Sequence, residues 1–406
     1  MNLIKVSLGK NIVVVGREAD AITFISWFKK MDIRSEISLI TDTEYPGVIR
    51  SKLPLIVLEE TDPLSSIIYQ KNFLERILLV KIINHPDLTR LNLDNILSRS
   101  YDKVVITSIS QPRINTKDSV HLVRIEDAIQ LREMINEGCE EIEVYGGLWG
   151  IWPATLFSSR KFPTVLYVED KDFYKEYFDT DIWNIILKES NYKFKIKIVD
   201  LSAISYDPKK VKVIYGFERP LLRGITEEYR DKISAIGSST ITLDKLINVK
   251  FFHISEHVSL AQARMLALEL LGFHAFGCTR FFQSKMGEMF IASCGFNKES
   301  LEKYNIKTSV TRMRLPLYNE NGTRDVEIII KGVAHRYSRK LLGFQIISTS
   351  SLVLEYIQLA YMVLMLGGTL NEIISMVSSY IPKERYFHDP LYKTIYSLWS
   401  KTLEYG

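Results

Sequence analysis

Apolar and polar positions in the first part of the chain follow two different spacings. Asn11–Val15 is an almost continuous apolar run that leads into Gly16, and apolar residues at helical spacing follow over Ala19–Met31. A further apolar run, Glu36–Thr41, ends at Asp42. A strand, a glycine turn, a helix and a strand that ends on an acidic residue are typical of a βαβ unit that binds a nucleotide. The pattern therefore predicts a Rossmann-type domain.

The same succession of patterns occurs a second time further along the chain. The segment 142–144, with apolar residues at both ends, leads into the turn sequence YGGLWG, and helical spacing follows over 151–161. Thr164–Val168 is then an apolar run that ends at Glu169. Because two such units usually serve two dinucleotides, the sequence predicts a second Rossmann-type domain.

The pattern of apolar and polar residues changes from residue 276 onward. Runs such as MFIASCGFN and DVEIIIKGVAHRYSRKLLGFQIIS are typical of antiparallel strands joined by polar turns. The helix expected at 352–366 is apolar on nearly every face, which favours a subunit interface. The predicted fold class is α/β, with two Rossmann-like domains and a C-terminal α+β dimerisation domain. The expected boundaries are 1–115, 116–247, a return segment at 248–275, and 276–406.

Composition and charge exclude several classes of function. The 406 residues carry a net charge of +4 with scattered Lys and Arg, so we expect no nucleic-acid partner. The apolar stretch 351–370 is interrupted by Glu355 and Gln358, which favours a buried helix over a membrane span. Because the first residues have no apolar core long enough for a signal peptide, we expect a cytoplasmic protein.

Cysteine and histidine spacing gives no redox or metal centre. Cys139, Cys278 and Cys294 form no C-x-x-C pair, so a zinc ribbon, a thioredoxin-type pair and a disulfide framework are not expected. His253 and His257 have the i, i+4 spacing of a metal pair on a helix, but no third ligand is evident. We therefore predict no metal site.

Longer motifs give the chain a family resemblance. It resembles the pyridine nucleotide-disulfide oxidoreductase superfamily, in the branch of CoA-disulfide reductases, NADH oxidases and rubredoxin reductases. The motifs that carry this resemblance are TDTEYPGVIRSKLP, VHLVRIEDAIQLRE, RKLLGFQIIS and YIPKERYFHDP. The resemblance implies that the first unit binds FAD, the second binds NAD(P)H and the third domain forms a homodimer.

The resemblance also assigns roles to individual residues. It implies that Asp42 contacts the FAD ribose, that Arg50 lies near the flavin or pyrophosphate, and that Glu256 faces the ribityl chain. Arg50 and Lys52 could equally be surface cations, and Tyr380 and Tyr386 resemble tyrosines that reach the partner's active site. The candidate cofactor-binding residues are Gly16, Asp42, Arg50 and Glu256 for FAD, and Gly147, Gly150 and Glu169 for NAD(P)H.

Several positions that carry the family's chemistry are altered. Glu18 replaces the second glycine of the first turn, where each phosphate charge within 5 Å would cost about 3 kcal/mol at an effective dielectric constant near 20. Tyr145 replaces the first glycine of the second turn, and its ring is expected to fill space that the dinucleotide needs. Ser255 stands where a turn normally uses glycine, so we expect it to adopt a left-handed conformation. The segment EYPGVIRSKLPLIV lacks the cysteine of the CoA-disulfide reductase branch.

Two functions from different classes remain open at this point. The first is a degenerate flavoprotein that keeps its scaffold and its dimer or partner surface but has weakened or lost catalysis. The alternative is an active FAD-dependent NAD(P)H oxidoreductase that passes electrons to a redox protein, a quinone-like acceptor or oxygen. We assign no catalytic residue, leave FAD binding open, and expect NAD(P)H binding to be weak or absent.

Overall fold

A computed structural model describes residues 9–97, 99–200, 204–207, 209–222, 231–274, 277–318, 324–375 and 389–404. The expectation for Tyr380 and Tyr386 lies outside these residues. The chain divides into two compact units. The first comprises Met1–Tyr167, Lys195–Asp244 and Val249–Cys278, and the second comprises Val168–Phe194, Lys245–Asn248 and Thr279–Gly406.

The described elements are numbered in chain order. The strands are β1 (Asn11–Val15), β2 (Glu36–Thr41), β3 (Val80–Asn84), β4 (Lys103–Ile106), β5 (Ser110–Pro112), β6 (Ser119–His121), β7 (Glu141–Tyr145), β8 (Thr164–Val168), β9 (Lys195–Ile198), β10 (Lys210–Ile214), β11 (Glu218–Pro220), β12 (Ile233–Ala235), β13 (Thr242–Leu243), β14 (Lys250–Phe251), β15 (Phe281–Met286), β16 (Met289–Gly295), β17 (Thr308–Tyr318), β18 (Arg324–His335) and β19 (Leu341–Ser348). The helices are α1 (Ala19–Met31), α2 (Leu53–Val57), α3 (Lys71–Arg76), α4 (Leu93–Leu97), α5 (Ile125–Asn136), α6 (Ile151–Ser159), α7 (Thr180–Glu189), α8 (Glu256–Leu270), α9 (Lys298–Glu302), α10 (Leu352–Met365), α11 (Leu370–Ile373) and α12 (Pro390–Leu403).

The first unit is built on two five-stranded sheets. The first sheet has the strand order β12-β4-β1-β2-β3 and is parallel throughout. The second has the order β6-β10-β7-β8-β9, with parallel pairing from β6 to β8. The chain returns to the first sheet with β12, inside the segment 116–247 that the sequence assigns to the second domain.

Strand β1 lies at the centre of the first sheet because both of its faces are apolar. Ile12 and Val14 pack on one side with residues of α1 and α8, whereas Val13 and Val15 pack on the other side. A continuous apolar run is typical of a parallel strand that is covered on both faces. The carboxyl end of β1 therefore delivers Gly16 to the sheet edge at which open α/β sheets bind ligands.

Helix α8 begins directly after Ser255. Ser255 precedes its first residue, Glu256, with φ −68° and ψ 114°, which is ordinary extended backbone. The expected left-handed turn at Ser255 is therefore wrong, because a residue in extended conformation can lead directly into the helix and no glycine is required there.

The second unit contains an antiparallel sheet with the order β15-β16-β19-β18-β17. Helix α10 packs on β16 and β19, and α12 packs on β17 and β18. Together with the two sheets of the first unit, this confirms the predicted fold class. No helix among the described residues combines the length and apolarity that crossing a bilayer needs.

Candidate functional site

Gly16 is explained by close packing at the end of β1. A Cβ atom at this position would collide with Thr107 Oγ1, and Gly16 N donates a hydrogen bond to Ile40 O (3.0 Å). Only glycine therefore fits between β1 and the residue that follows β4. This glycine has a structural reason that needs no ligand.

The amino-terminal turn of α1 is covered by a neighbouring segment. Ala19 N donates to Val48 O (2.9 Å), and Gly47 N donates to Arg17 O (2.8 Å). Val48 is fully buried, and Gly47 has φ +92° and no room for a Cβ atom, which would lie 2.6 Å from Ile22 Cγ1. One of the backbone amides that a phosphate could use at this helix terminus is therefore already bonded to protein.

Glu18 lies buried at the same turn with no hydrogen bond from its side chain to the helix terminus. Burial raises the pKa of Glu18 to about 8, and the charge of Arg50 opposes this shift only in part. Asp20 and Glu218 add to the rise because both are acidic. Glu18 is therefore mostly protonated at neutral pH, since its carboxylate would be poorly solvated there.

Asp42 follows β2, at the position the resemblance assigns to the ribose, and is bound by protein groups. Its carboxylate forms an ion pair with Arg17 Nη1 (3.0 Å), and both side chains are buried. Leu88 N also donates to the Asp42 carboxylate (3.1 Å). Both contacts are to Oδ2, and Oδ1 is buried without a hydrogen-bond partner among the described residues, so a ribose hydroxyl would compete with the buried guanidinium only at Oδ2.

Arg50 and Glu218 form a buried bidentate ion pair. Arg50 Nη1 lies 3.1 Å from one Glu218 oxygen and Nη2 contacts the other. Arg50 Nε donates to Leu122 O (3.2 Å), and its guanidinium lies 4.7 Å from the centre of the Tyr215 ring. The surface-cation interpretation of Arg50 is wrong, because its guanidinium is enclosed by these groups.

Glu218 has further partners within the same cluster. Its carboxylate lies 3.2 Å from His121 Nε2 and accepts a hydrogen bond from Ser110 Oγ. Although burial opposes ionisation, Arg50 and then His121 lower the pKa of Glu218 well below its usual range. The pair therefore stays charged, and it joins the loop after β2 to the chain that follows β10.

Asp20 lies beside the segment 107–109, which follows β4. Its carboxylate accepts hydrogen bonds from Ser108 N (2.9 Å), Ser108 Oγ (2.6 Å) and Ala21 N (2.9 Å). Burial raises the pKa of Asp20. Gly237 packs against the same serine, and only glycine fits there because a Cβ atom would collide with Ser108 Oγ.

Glu256 and Lys52 also bond to protein atoms. Glu256 Oε2 accepts a hydrogen bond from Ser51 N (3.1 Å), and burial raises the pKa of Glu256. Lys52 Nζ donates to Ser65 O (2.8 Å). The structure thus brings four of the predicted FAD residues to the same end of the first sheet, but with protein groups as the bonding partners of Asp42, Arg50 and Glu256.

This cluster offers no excess of positive charge to a diphosphate, because its two guanidinium groups are each paired with a carboxylate. Its acidic residues outnumber its guanidinium groups, even with Glu18 protonated. A diphosphate next to ionised carboxylates costs about 3 kcal/mol for each pair at 5 Å and an effective dielectric constant near 20. The acidic members are Glu18, Asp20, Asp42, Glu218 and Glu256, and the basic members are Arg17, Arg50 and, when protonated, His121.

Five residues of this site are not predicted from the sequence: Arg17, Asp20, His121, Tyr215 and Glu218. Arg17 adjoins the altered glycine position and could have been considered as a partner for an acid. Glu218 carries no local signal, because its partner Arg50 lies 168 residues earlier in the chain. Only the folded arrangement of the two sheets brings the pair together.

The glycines of the second turn have different roles. Gly147 has φ +54° and no atom within 4 Å of the place of a Cβ, so it is required by conformation and is approachable. A Cβ atom at Gly150 would lie 2.7 Å from Leu166 Cδ1, so Gly150 is required by packing. The amides of Gly146 and Gly147 both donate to Tyr167 O (3.4 and 3.2 Å).

The Tyr145 ring is held by groups of its own sheet, and whether it fills space that a dinucleotide needs stays a prediction. Its hydroxyl donates to Glu143 Oε2 (2.8 Å), two residues earlier on the same strand. The ring stacks on Tyr167 with centroids 4.6 Å apart and planes inclined by 6°. These contacts draw the ring back over the face of the sheet. Burial and the nearby Glu143 raise the pKa of Tyr145 above its usual range.

The remaining candidates differ in burial. Glu169 is exposed and belongs to the second unit. His253 is fully buried, whereas His257 is exposed. Cys278 and Cys294 are buried and Cys139 is half-buried. Across the part of the chain that the structure describes, no three His, Cys, Asp or Glu side chains are placed to hold a metal ion.

Comparison with known proteins was made at the level of sequence and of structure. No protein-family profile matches the chain, and no curated protein matches it by sequence. Solved structures match over nearly the whole chain, at low sequence identity.

Three of these structures illustrate the similarity. Reduced CoADR-RHD from Bacillus anthracis has a TM-score of 0.81 at 16% identity, covering 98% of this chain and 81% of that one. The water-forming NADH oxidase from Lactobacillus brevis has a TM-score of 0.81 at 14% identity, covering 98% and 100%. A pyridine nucleotide-disulfide family oxidoreductase from Enterococcus faecalis has a TM-score of 0.76 at 15% identity, covering 97% and 100%. The chain therefore has the fold of the pyridine nucleotide-disulfide oxidoreductase superfamily, as its motifs predict.

Proposed function

We propose that this chain is a degenerate member of the superfamily, which keeps the scaffold but binds neither FAD nor NAD(P)H productively. Two buried ion pairs support the proposal most strongly: Arg17–Asp42 and Arg50–Glu218. They engage the two residues, Asp42 and Arg50, that the family resemblance assigns to the cofactor. On this proposal, the chain's own side chains take the place of the cofactor.

Breaking the buried ion pairs costs more free energy than the helix terminus returns to a bound anion. Removing one partner from a buried ion pair costs about 3–5 kcal/mol, because the other charge is left unpaired. The helix terminus offers an anion only about 0.3–2 kcal/mol, and Ala19 N is already bonded. FAD would therefore have to compensate for the loss of at least one pair before it gained affinity.

One observation favours the alternative, an active FAD-dependent NAD(P)H oxidoreductase. The turn at Gly147 is approachable and keeps the left-handed conformation that a glycine allows. On that alternative, electrons would pass to a redox protein, a quinone-like molecule or oxygen. We place it second because such a transfer needs a bound flavin as the electron carrier, and the residues that the resemblance assigns to FAD are engaged by protein groups.

We also propose that the chain forms a homodimer through α10. This helix buries Val353, Ile357, Ala360 and Leu364 against its own sheet. Its outer side exposes Leu359 (51%), Met362 (54%) and Leu366 (77%), spaced by three and four residues on one face. A second copy could cover this stripe. A protein partner other than a second copy, and a cytoplasmic location, stay predictions.

Turnover measurements distinguish the two functions. The purified chain is mixed with FAD and with NADH or NADPH, and consumption of the nicotinamide is followed with oxygen, a quinone and ferricyanide as acceptors. We expect no consumption above the rate with free FAD alone. Saturable turnover in the ordinary enzyme range, about 1–1000 per second, would instead establish the alternative.

A further inference from the structure

An exposed apolar surface lies at the amino ends of β2 and β3. The connection from α1 to β2 exposes Met31 (47%) and Ile33 (68%), and the connection from α3 to β3 exposes Ile77 (60%) and Leu79 (61%). Large aliphatic side chains exposed together in this way are unusual on a soluble domain. We call these four residues the apolar surface.

The fold places the two connections next to each other. Strands β2 and β3 are parallel neighbours, and Ile37 pairs with Val80 at their amino ends. Phe28 near the end of α1 and Leu74 in α3 pack in the same core. Residues that enter neighbouring parallel strands must lie side by side. The four residues therefore share the amino-terminal edge of the sheet, opposite the edge that holds the cluster around Glu18.

Basic residues accompany every member of the apolar surface. Each member has an exposed Lys or Arg within two positions along the chain: Lys30, Arg34, Arg76 and Lys81. Within the described part of the chain, none of these four cations forms an ion pair, although Lys30 Nζ lies 5.9 Å from the centre of the Trp27 ring. The exposed acids nearby are Glu36 and Glu75, and Asp32 is buried with its carboxylate bonded to Ser35 Oγ (2.5 Å). The surface therefore carries an excess of positive charge.

The chemistry of the surface selects its partner. A second copy would bring like charges together around the apolar residues, which disfavours self-association. Aliphatic side chains among Lys and Arg match the acyl boundary and headgroups of an anionic lipid surface. We propose that this edge of the first sheet docks reversibly on anionic membranes.

Vesicle sedimentation tests the proposal with the full-length chain. Vesicles of phosphatidylcholine with phosphatidylglycerol should sediment the protein, and vesicles of phosphatidylcholine alone should not. The double variant Ile33→Ser with Leu79→Ser should lose most binding, and each of Arg34→Gln and Arg76→Gln should weaken it by about fivefold. Ile198→Ser is the matched control, because Ile198 is 61% exposed on β9, away from this surface. Circular dichroism confirms that each variant is folded.

The result that overturns the proposal is equally specific. It fails if anionic vesicles do not retain the protein, or if folded variants at Ile33 and Leu79 bind as the unmodified protein does. Retention on immobilised poly-glutamate without retention on anionic vesicles also overturns it, because the surface would then belong to an acidic protein. None of these outcomes depends on whether the chain binds FAD.

Discussion

Glu18 stands where a glycine would let a phosphate approach the backbone, and it titrates in an unusual range. Burial raises its folded-state pKa from the ordinary 4.5 to about 8. Below pH 4.5 the group is neutral in both the folded and the unfolded chain. Between these two values the unfolded chain releases the proton and the folded chain keeps it, so stability falls as pH rises. Above about pH 8 this dependence ends.

This titration gives the first prediction, for Glu18→Gln. The free energy of unfolding of the variant minus that of the unmodified protein should increase by about 1.4 kcal/mol for each pH unit between 4.5 and 8. Above pH 8 this difference should become constant. Urea unfolding across this range measures the difference. Glu133→Gln, at an exposed position on α5, is the control and should show no such slope. A difference that does not vary with pH would show that Glu18 ionises freely in the folded protein.

The Arg50–Glu218 pair gives the second prediction. Arg50→Met should lower the free energy of unfolding by about 3–5 kcal/mol, because it leaves the Glu218 carboxylate buried with only His121 and Ser110. Arg50→Met combined with Glu218→Met removes both charges and should recover most of that loss. Denaturant unfolding of the two single variants and the double variant completes the cycle. Additive losses would mean that the two residues do not act as a pair.

Single residues also mark the limit of sequence interpretation. The misfit of Glu18 can be predicted from the sequence because the glycine motif fixes its position relative to β1 and α1. The bonding of Asp42 to Arg17 and of Arg50 to Glu218 cannot be predicted, since it depends on side-chain rotamers and on strands that are distant in the sequence. Those contacts distinguish a filled site from an open one.

At the scale of elements, local periodicity is sufficient for the regular parts. Strands β1, β2 and β8 and helix α1 have the predicted bounds. The spacing of apolar residues along the sequence is enough to identify buried strands and amphipathic helices. Helix α6 ends at Ser159, two residues before the predicted end, where the backbone of Lys161 becomes left-handed (φ +67°). The direction of the Tyr145 ring cannot be predicted from the local sequence pattern, because it depends on Tyr167 in the neighbouring strand.

The third prediction concerns β7 and its turn. Tyr145→Gly should destabilise the protein by about 3–5 kcal/mol, since it removes a buried ring and its stack on Tyr167. It should not create affinity for NADH or NADPH, because the ring is held by groups of its own sheet. Titration calorimetry and thermal unfolding measure both effects. Tyr145→Phe is the control, because it keeps the ring and loses only the bond to Glu143. Micromolar affinity of the glycine variant for NADH or NADPH would show that the ring blocks the turn in the unmodified protein.

The fourth prediction concerns α10 as an assembly element. The unmodified chain should sediment at micromolar concentration as a dimer of the 47.0 kDa polypeptide. Leu359→Lys with Met362→Lys should give a monomer, because two charges would be buried at the interface. Tyr337→Lys is the control, since Tyr337 is 64% exposed in the second unit but lies outside α10. A monomeric unmodified chain would contradict the proposed interface.

For the whole molecule, the fold and the cofactor chemistry are separable. The strands, helices and glycine turns of a dinucleotide-binding fold are present, and Gly16 and Gly150 are each explained by packing alone. The same sheet edge is filled by buried, mutually bonded charged groups. A scaffold can therefore keep its motifs for reasons of packing while its ligand positions are taken by side chains.

The flavin content of the purified protein tests this account most directly. The account predicts a colourless preparation that releases no FAD on denaturation. It also predicts only weak FAD uptake by Glu18→Gly, because the Arg17–Asp42 and Arg50–Glu218 pairs remain in that variant. Visible absorption and analysis of the denatured supernatant give the answer in one experiment. A yellow preparation that releases one FAD for each chain would contradict the account and establish the protein as a flavoprotein.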